Sequence, residues 1–352
     1  MLSKLQQAIV DNDSNVIFVE AAAASGKTAT IVEKIKRELA ANKGKVVAFT
    51  FTNAAAEEMY ERVGVVDSSK LFIGTIHSYC VQILLANGID QAIQYCEEEW
   101  FDRLFQLVKQ YPECVRPVYC IICDEMQDCN ANQFEFIFDM LDAEKYFCCY
   151  DKRQSIYRWN GAHPEYIDDY ANDKRAEILT LGENYRNATK ILTFAKNIIN
   201  VAGWDYRDES IPMRGVTGKV LPDIEYNPIA IARTLAGLGG NYGEWFVLTR
   251  TNSQIDEICR YLKQYNVPYD TFKRAELNNK ELNERMKANT VKVLTIHSAK
   301  GLEANNVIVI GSKFYNLEER CISYVAATRA RNQLIWTRMP NKKKNSINNW
   351  EC

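Results

Sequence analysis

Glu20-Ala21-Ala22-Ala23-Ala24-Ser25-Gly26-Lys27-Thr28 is the stretch on which the reading of this chain turns. Before it, Val16-Ile17-Phe18-Val19 reads as a buried strand; after it, Ala29 to Leu39 carries apolar residues at helical spacing among Glu33, Lys34, Lys36 and Arg37. Strand, small-residue turn, Gly-Lys-Thr and helix together form the context a phosphate-binding loop requires. Such a turn aims backbone N–H groups and the positive end of a helix dipole at phosphate. Ala22, Ala23, Ala24, Ser25 and Gly26 would line the phosphates. Lys27 would reach the β- and γ-phosphates, and the Thr28 hydroxyl would hold Mg²⁺.

Hydrolysis of a nucleoside triphosphate also needs carboxylates. Val118-Tyr119-Cys120-Ile121-Ile122-Cys123 is a second apolar run, and it ends in Asp124-Glu125-Met126-Gln127-Asp128. Acidic residues at the C-terminal edge of a parallel strand stand where open α/β sheets bind ligands. Asp124 is placed to hold Mg²⁺, and Glu125 to orient and deprotonate the attacking water. A solvated acidic turn is the plain alternative for this segment alone. Its order in the chain after the phosphate loop argues for binding and hydrolysis of a nucleoside triphosphate with Mg²⁺.

Further segments carry a family resemblance. Thr50-Phe51-Thr52-Asn53-Ala54-Ala55-Ala56-Glu57-Glu58-Met59 resembles motif Ia of the UvrD/Rep family of superfamily 1 helicases, and Gly74-Thr75-Ile76-His77-Ser78-Tyr79-Cys80 resembles the next motif. Asp124 to Asp128 resembles their extended Walker B, Gln154-Ser155-Ile156-Tyr157-Arg158-Trp159-Asn160-Gly161-Ala162 motif III, and Glu183-Asn184-Tyr185-Arg186-Asn187 motif IV. Thr295-Ile296-His297-Ser298-Ala299-Lys300-Gly301-Leu302-Glu303 is similar to motif V and Tyr324-Val325-Ala326-Ala327-Thr328-Arg329-Ala330 to motif VI. Near the start, Leu2 to Val10 with Gln6 resembles the adenine-reading Q motif, so the resemblance implies ATP as the nucleotide. The matches keep the family's order along nearly the whole chain.

The resemblance implies a role for each position. Gln6 would read the adenine edge through its paired donor and acceptor, and Tyr185 would stack on the ring. Gln154 would sense the γ-phosphate, Arg186 and Arg329 would act as arginine fingers, and Glu303 would accept from a ribose hydroxyl. Phe51, Tyr157 and Trp159 would lie along a nucleic-acid track, because stacking on bases tolerates any sequence. Core packing is the alternative for Phe51 and Tyr157, less so for Trp159 in its polar setting. Asn53 and Thr295 fall in the same motifs, as do His77 and His297, which read as hydrogen-bonding residues rather than metal ligands.

The implied fold class is α/β, with two RecA-like parallel-sheet domains in tandem and the ATP site in the cleft between them. Residues 1–178 would form the first, with a reduced insertion at about 85–117. Residues 179–340 would form the second, starting near Leu179-Thr180-Leu181, with its insertion reduced to about 270–290; a polar tail, 341–352, would follow. Trp245 to Leu248, Val291 to Leu294 and Val307 to Ile310 are its strand candidates. Only 46 residues separate His77 from Asp124, where the family inserts a full accessory domain, and Cys96 to Gln110 reads as one amphipathic helix. No internal repeat is evident in this reading.

Composition neither announces nor excludes a nucleic-acid partner. Forty-three Lys and Arg face 45 Asp and Glu, a net charge of −2, but a strand-tracking protein needs only a locally positive groove. Eleven cysteines with no apolar leader suit a reducing cytoplasm, with Cys120, Cys123, Cys148 and Cys149 as small core hydrophobes. No run is long enough to span a membrane.

Two departures from the family pattern bear on activity. Ala22 and Ala24 stand where glycines are usual, which strains the chain if either position needs positive φ. Tyr150-Asp151-Lys152-Arg153 replaces a Gly-Asp and acidic run, a charge reversal that either meets phosphate or faces solvent. The expectation is a monomeric ATP-dependent motor, a translocase or helicase that steps 3′ to 5′ along single-stranded DNA or tailed duplex by opening and closing its cleft. An accessory or replication/repair protein is a further partner. The rivals are an ATP-switched binding module with slow hydrolysis, and an RNA-directed motor.

Overall fold

A computed structural model describes residues 2–89, 100–272, 284–311, 314 and 316–339, apart from the side chains of 100–102. The chain divides into two compact units, one of residues 1–186 with 199–214, the other of 187–198 with 215–352.

The first unit is built on six parallel strands: β1 (Val16–Ala21), β2 (Val46–Phe49), β3 (Leu71–Gly74), β4 (Val118–Cys123), β5 (Ala143–Tyr150) and β6 (Glu177–Leu181). Their order is β3-β2-β4-β5-β1-β6. Strands of a parallel sheet are covered on both faces, so they read as unbroken apolar runs, and all six residues of β4 are buried. Helices Lys4–Asp11 and Lys27–Ala41 pack on one side with Ile17, Val19, Ile31, Ile35 and Ile122 between them and the sheet. On the other face Phe18, Phe49, Tyr79, Phe105 and Phe136 form an aromatic core. Burying such side chains stabilises the unit by ~1.5–3 kcal/mol each.

This order does the positioning. β4, β5 and β1 are neighbours, with Cys123 beside Cys148 and Glu20 beside Tyr150. The three turns that leave their C-terminal ends are the phosphate loop, Asp124-Glu125 and Asp151 to Gln154. They therefore stand side by side.

The second unit repeats the architecture with β9 (Lys219–Glu225), β10 (Trp245–Thr249), β11 (Tyr269–Thr271), β12 (Val291–Thr295), β13 (Ala304–Val309) and β14 (Ala330–Arg338). All pairings are parallel, in the order β11-β12-β10-β13-β14-β9. Its core includes Trp245, Val247, Ile258, Leu262, Val293 and Ile308. The three strands expected from apolar runs are β10, β12 and β13.

The boundary differs from the one expected at 178/179. Glu177–Leu181 is the edge strand of the first sheet, paired with β1 from Ile17↔Glu177 to Ala21↔Leu181. Its half-exposed alternation reads as the start of a new unit, yet the chain crosses only after Arg186 and returns for residues 199–214. There β7 (Glu183–Asn184) pairs with β8 (Ile211–Pro212). The helix expected over Cys96 to Gln110 is described as Trp100–Gln110. Cys96 to Glu99, residues 273–283 of the second insertion and the 341–352 tail lie outside the described residues.

Candidate functional site

The phosphate loop leaves β1 and closes on the helix Lys27–Ala41, whose N-cap is Gly26 at φ +79°. Ala24 also takes a left-handed backbone, φ +59°, whereas Ala22 does not. The expected strain is therefore real at Ala24 and absent at Ala22. Such left-handed residues turn successive N–H groups inward and make an anion-binding concavity. Ser25 is buried, and its Oγ has no hydrogen-bond partner among the described residues. A buried hydroxyl that the protein leaves unpaired is suited to an acceptor from a ligand.

Lys27 points across to the end of β4. Its Nζ is 3.3 Å from Asp124 Oδ1 and hydrogen-bonds Glu125 Oε1. Burial works against the ammonium, but the two carboxylates outweigh it and raise the Lys27 pKa. The Asp124 pKa is also raised, chiefly by burial with Glu125 adding repulsion, which Lys27 only partly offsets. Two carboxylates thus share one ammonium in a half-buried space, a donor set with charge to spare for a cation. Glu125 itself sits in the left-handed region, φ +53°, as residues at working sites often do.

Several expected nucleotide residues meet on this loop. Gln6 is buried; its Nε2 donates to Ser25 O at 2.8 Å, and its Oε1 accepts from Ser3 N at 2.8 Å. A Cβ on Gly26 would come within 2.2 Å of Gln6 Nε2, so that close approach needs glycine. The far end of the Gln6 helix is held by Lys34, whose Nζ donates to Val10 O and Asn12 O at 3.2 and 2.8 Å. Behind the loop, Asn184 Nδ2 donates to Ala23 O (2.9 Å) and Tyr185 N to Ala24 O (3.0 Å). Tyr185 is partly exposed, with its hydroxyl on Glu183. Arg186 is half-buried, its backbone N–H held by Asn184 Oδ1. Gln154 is buried and donates from Nε2 to Asp151 Oδ2 at 2.8 Å.

The reversed charges at 152–153 are both engaged by carboxylates of the protein itself. Arg153 is buried, with Nε on Asp151 Oδ1 at 2.5 Å, Nη1 on Arg207 O at 2.6 Å and Nη2 3.4 Å from Glu20 Oε1. Lys152 is half-buried and paired with Asp168.

Of the expected track residues, Trp159 is 70% exposed, a large ring that the fold leaves in water. Tyr157 is buried; it stacks under half-buried Phe51 with centroids 4.9 Å apart and meets Trp159 edge-on at 6.2 Å. It supports the two other rings rather than offering a face of its own. Asn53 is exposed at the start of a helix, and His77 packs tilted on Phe105. A cavity of about 590 Å³ is lined by Phe51 and His77, by Asp124 and Glu125, and by Asn132 and His163.

In the second unit Arg329 is buried, with Nε on Val325 O (3.0 Å), Nη1 on Leu302 O (3.3 Å) and Nη2 on Thr328 Oγ1 (3.2 Å). Glu303 is paired with Arg331. Thr295 Oγ1 caps Ser298 N at 3.1 Å, with His297 half-buried in the same turn.

An internal repeat, absent from the sequence reading, emerges from these turns. Thr50-Phe51-Thr52-Asn53 stands at the C-terminal end of β2 as Thr249-Arg250-Thr251-Asn252 does at that of β10, and Thr75-Ile76-His77-Ser78 stands at the end of β3 as Thr295-Ile296-His297-Ser298 does at that of β12. Thr50 and Thr249 donate to the carbonyls of Thr52 and Thr251 at 2.9 and 3.1 Å. Thr52 and Thr251 then cap the next helix, and Thr75 Oγ1 takes Ser78 N at 3.2 Å as Thr295 takes Ser298 N. The paired tetrapeptides were the available signal, and they single out Arg250 and Asn252 as missed candidates.

The sequence matches two family descriptions in order: UvrD/REP helicase N-terminal domain, at residues 2–110 and 101–175, and UvrD-like helicase C-terminal domain, at residues 270–340. Among similar curated proteins, a probable DNA helicase of Mycoplasma pneumoniae is 24% identical over 95% of this chain and 82% of its own length. The Gabija protein GajB of Bacillus cereus is 24% identical over 94% of both chains. DNA helicase II of Escherichia coli is 25% identical over 76% of this chain, which spans half of that protein.

Proposed function

We propose that this chain, which belongs to the UvrD/Rep family of DNA helicases, hydrolyses ATP to move along single-stranded DNA in the 3′-to-5′ direction. The observation that carries the proposal is the meeting of Lys27, Asp124 and Glu125 at the ends of β1 and β4. Packing alone does not call for two carboxylates to converge on one half-buried lysine, because desolvating charges opposes folding.

The chain's own groups suit each requirement of hydrolysis. The loop's N–H groups and Ser25 Oγ are suited to phosphate oxygens, and Lys27 to the charge on the transferring group. Asp124 and Thr28 would hold Mg²⁺, which when bound neutralises phosphate charge. Glu125 is assigned to take the proton of the attacking water, a role worth ~10²–10⁴-fold in rate. Gln154 is assigned to orient that water. Gln6 and Tyr185 are assigned to adenine, and Arg186 to the phosphates. For Arg329 and Glu303 the assignment rests on the resemblance, since both are engaged within the second unit. Along the strand, Phe51 and Trp159 would stack on bases, with Asn53, His77, Thr295 and His297, and by the internal repeat Arg250 and Asn252, contacting the backbone.

One observation favours a second reading. A strained Ala24 at the heart of the loop suits slow hydrolysis, hence a clamp switched by ATP rather than a motor. Steady-state ATP hydrolysis with and without single-stranded DNA, and with RNA as competitor, separates the readings. The motor requires multiple turnovers stimulated by DNA of any sequence. A rate unchanged by the strand would refute it, and stimulation by RNA alone would redirect it.

A further inference from the structure

The turn after β4 and the turn after β5 are joined by one buried amide. Gln127, fully buried in the turn Met126–Asp128, donates from Nε2 to Glu125 Oε2 at 2.5 Å. Its Oε1 accepts the backbone N–H of Asp151 at 2.8 Å, and its carbonyl accepts Ser155 Oγ at 3.1 Å. The amide has one orientation only, because a flip would set its oxygen against a carboxylate and its NH₂ against an N–H donor.

The line continues beyond Asp151. That carboxylate is fully buried, and an isolated charge there would be strongly disfavoured. Its Oδ1 accepts Arg153 N and Nε at 3.1 and 2.5 Å, and its Oδ2 accepts Gln154 Nε2 at 2.8 Å. Arg153 in turn reaches Glu20 at the end of β1. The charge reversal at Arg153 thus has an internal partner on the neighbouring strand, and the guanidinium gives the buried Asp151 carboxylate a charged partner.

We infer that Gln127 is a positioning residue which, through Asp151, holds the carboxylate of Glu125 and the amide of Gln154 in one fixed register. The inference rests on the proposed roles of Glu125 as base and Gln154 as orienting group. Glu125 occupies a left-handed backbone, and the tie from Gln127 keeps its carboxylate directed along the β4 edge. A displacement of Gln154 by phosphate would be passed to Glu125 through the carboxylate and backbone of Asp151 and the side chain of Gln127 rather than through solvent.

A double-mutant cycle tests this. Gln127→Met, Gln154→Met and the double variant are measured for single-turnover ATP hydrolysis at saturating single-stranded DNA. Binding of a non-hydrolysable ATP analogue and the thermal midpoint are measured beside it. Gln127→Met should slow hydrolysis at least ten-fold with analogue affinity within two-fold of the parent, and the double variant should be no more than two-fold slower than Gln154→Met. Parent-like hydrolysis in Gln127→Met, or losses that multiply in the double variant, would overturn the inference. If Gln127→Met does not fold, Gln127→Asn, one methylene too short to reach both Glu125 and the Asp151 N–H, replaces it, with the same loss and the same non-additivity required. Glu125→Gln keeps the two failures apart. A dead Glu125→Gln beside a parent-like Gln127→Met removes the tie and leaves the base, whereas an active Glu125→Gln removes the base itself.

Discussion

Replacing Ala24 by glycine should stabilise the protein, although it deletes a methyl group from the phosphate loop. Ala24 stands at φ +59°, where the Cβ of an L-residue meets its own carbonyl at a cost of roughly 1–2 kcal/mol. Glycine removes that strain but gives the unfolded chain more freedom, a loss of about 0.4–1 kcal/mol. The balance is a gain of about 0.5–1 kcal/mol, or about 1–4 °C in the melting temperature of a unit this size. Ala22 is the control: it is buried and has no left-handed backbone, so Ala22→Gly forfeits packing and entropy together and should lower the transition by a similar amount. Scanning calorimetry of parent and both variants reads the difference directly. If Ala24→Gly melts below the parent, or the two substitutions behave alike, the loop strain is not where the backbone places it.

Three further outcomes follow from the geometry. Trp159→Ala should weaken apparent affinity for single-stranded DNA by one stacked base, ~1–3 kcal/mol, and leave unstimulated hydrolysis unchanged; titration at two salt concentrations checks it. Glu38 is disfavoured by burial, but Lys34 and Tyr119 outweigh that and hold its pKa below the usual 4.5. A depressed carboxylate contributes stability above its unfolded value and loses it as pH falls through the folded one, so below about pH 4.5 the parent should lose stability more steeply than Glu38→Gln in acid titration of the melting temperature. Because the segment between His77 and Asp124 is short, a monomer should move on bare strands yet unwind duplexes poorly, each base-pair step opposing it by about 1.4 kcal/mol. Single-turnover unwinding of a 3′-tailed duplex at limiting protein measures this, and separation of tens of base pairs would count against it.

What was legible in the sequence is what local chemistry dictates. β1 and β4 read directly because strands buried on both faces have no polar alternation to obscure them. The loop and the Asp124-Glu125 turn read from residue types whose spacing has few other uses. The partnership of Arg153 with Glu20 did not, because it depends on β5 lying beside β1, a neighbour relation that sequence order conceals. Gln127 was equally hidden: an amide within an acidic run reads as solvated until the chain turns left-handed at Glu125 and draws it inward. Tyr157 shares its motif with Trp159, and only packing separates the buried ring from the exposed one. β6 misled because an edge strand, half in water, carries too weak a pattern to assign it to a sheet.

Whether this chain moves along the strand is decided by timing its arrival at a fluorophore on the 5′ end of oligodeoxynucleotides of increasing length, after ATP is added to protein already bound. The account predicts an arrival time that lengthens in proportion to oligonucleotide length, requires hydrolysable ATP, and disappears in Glu125→Gln. A signal independent of length, or one that a non-hydrolysable analogue produces equally well, would show a clamp and contradict the motor.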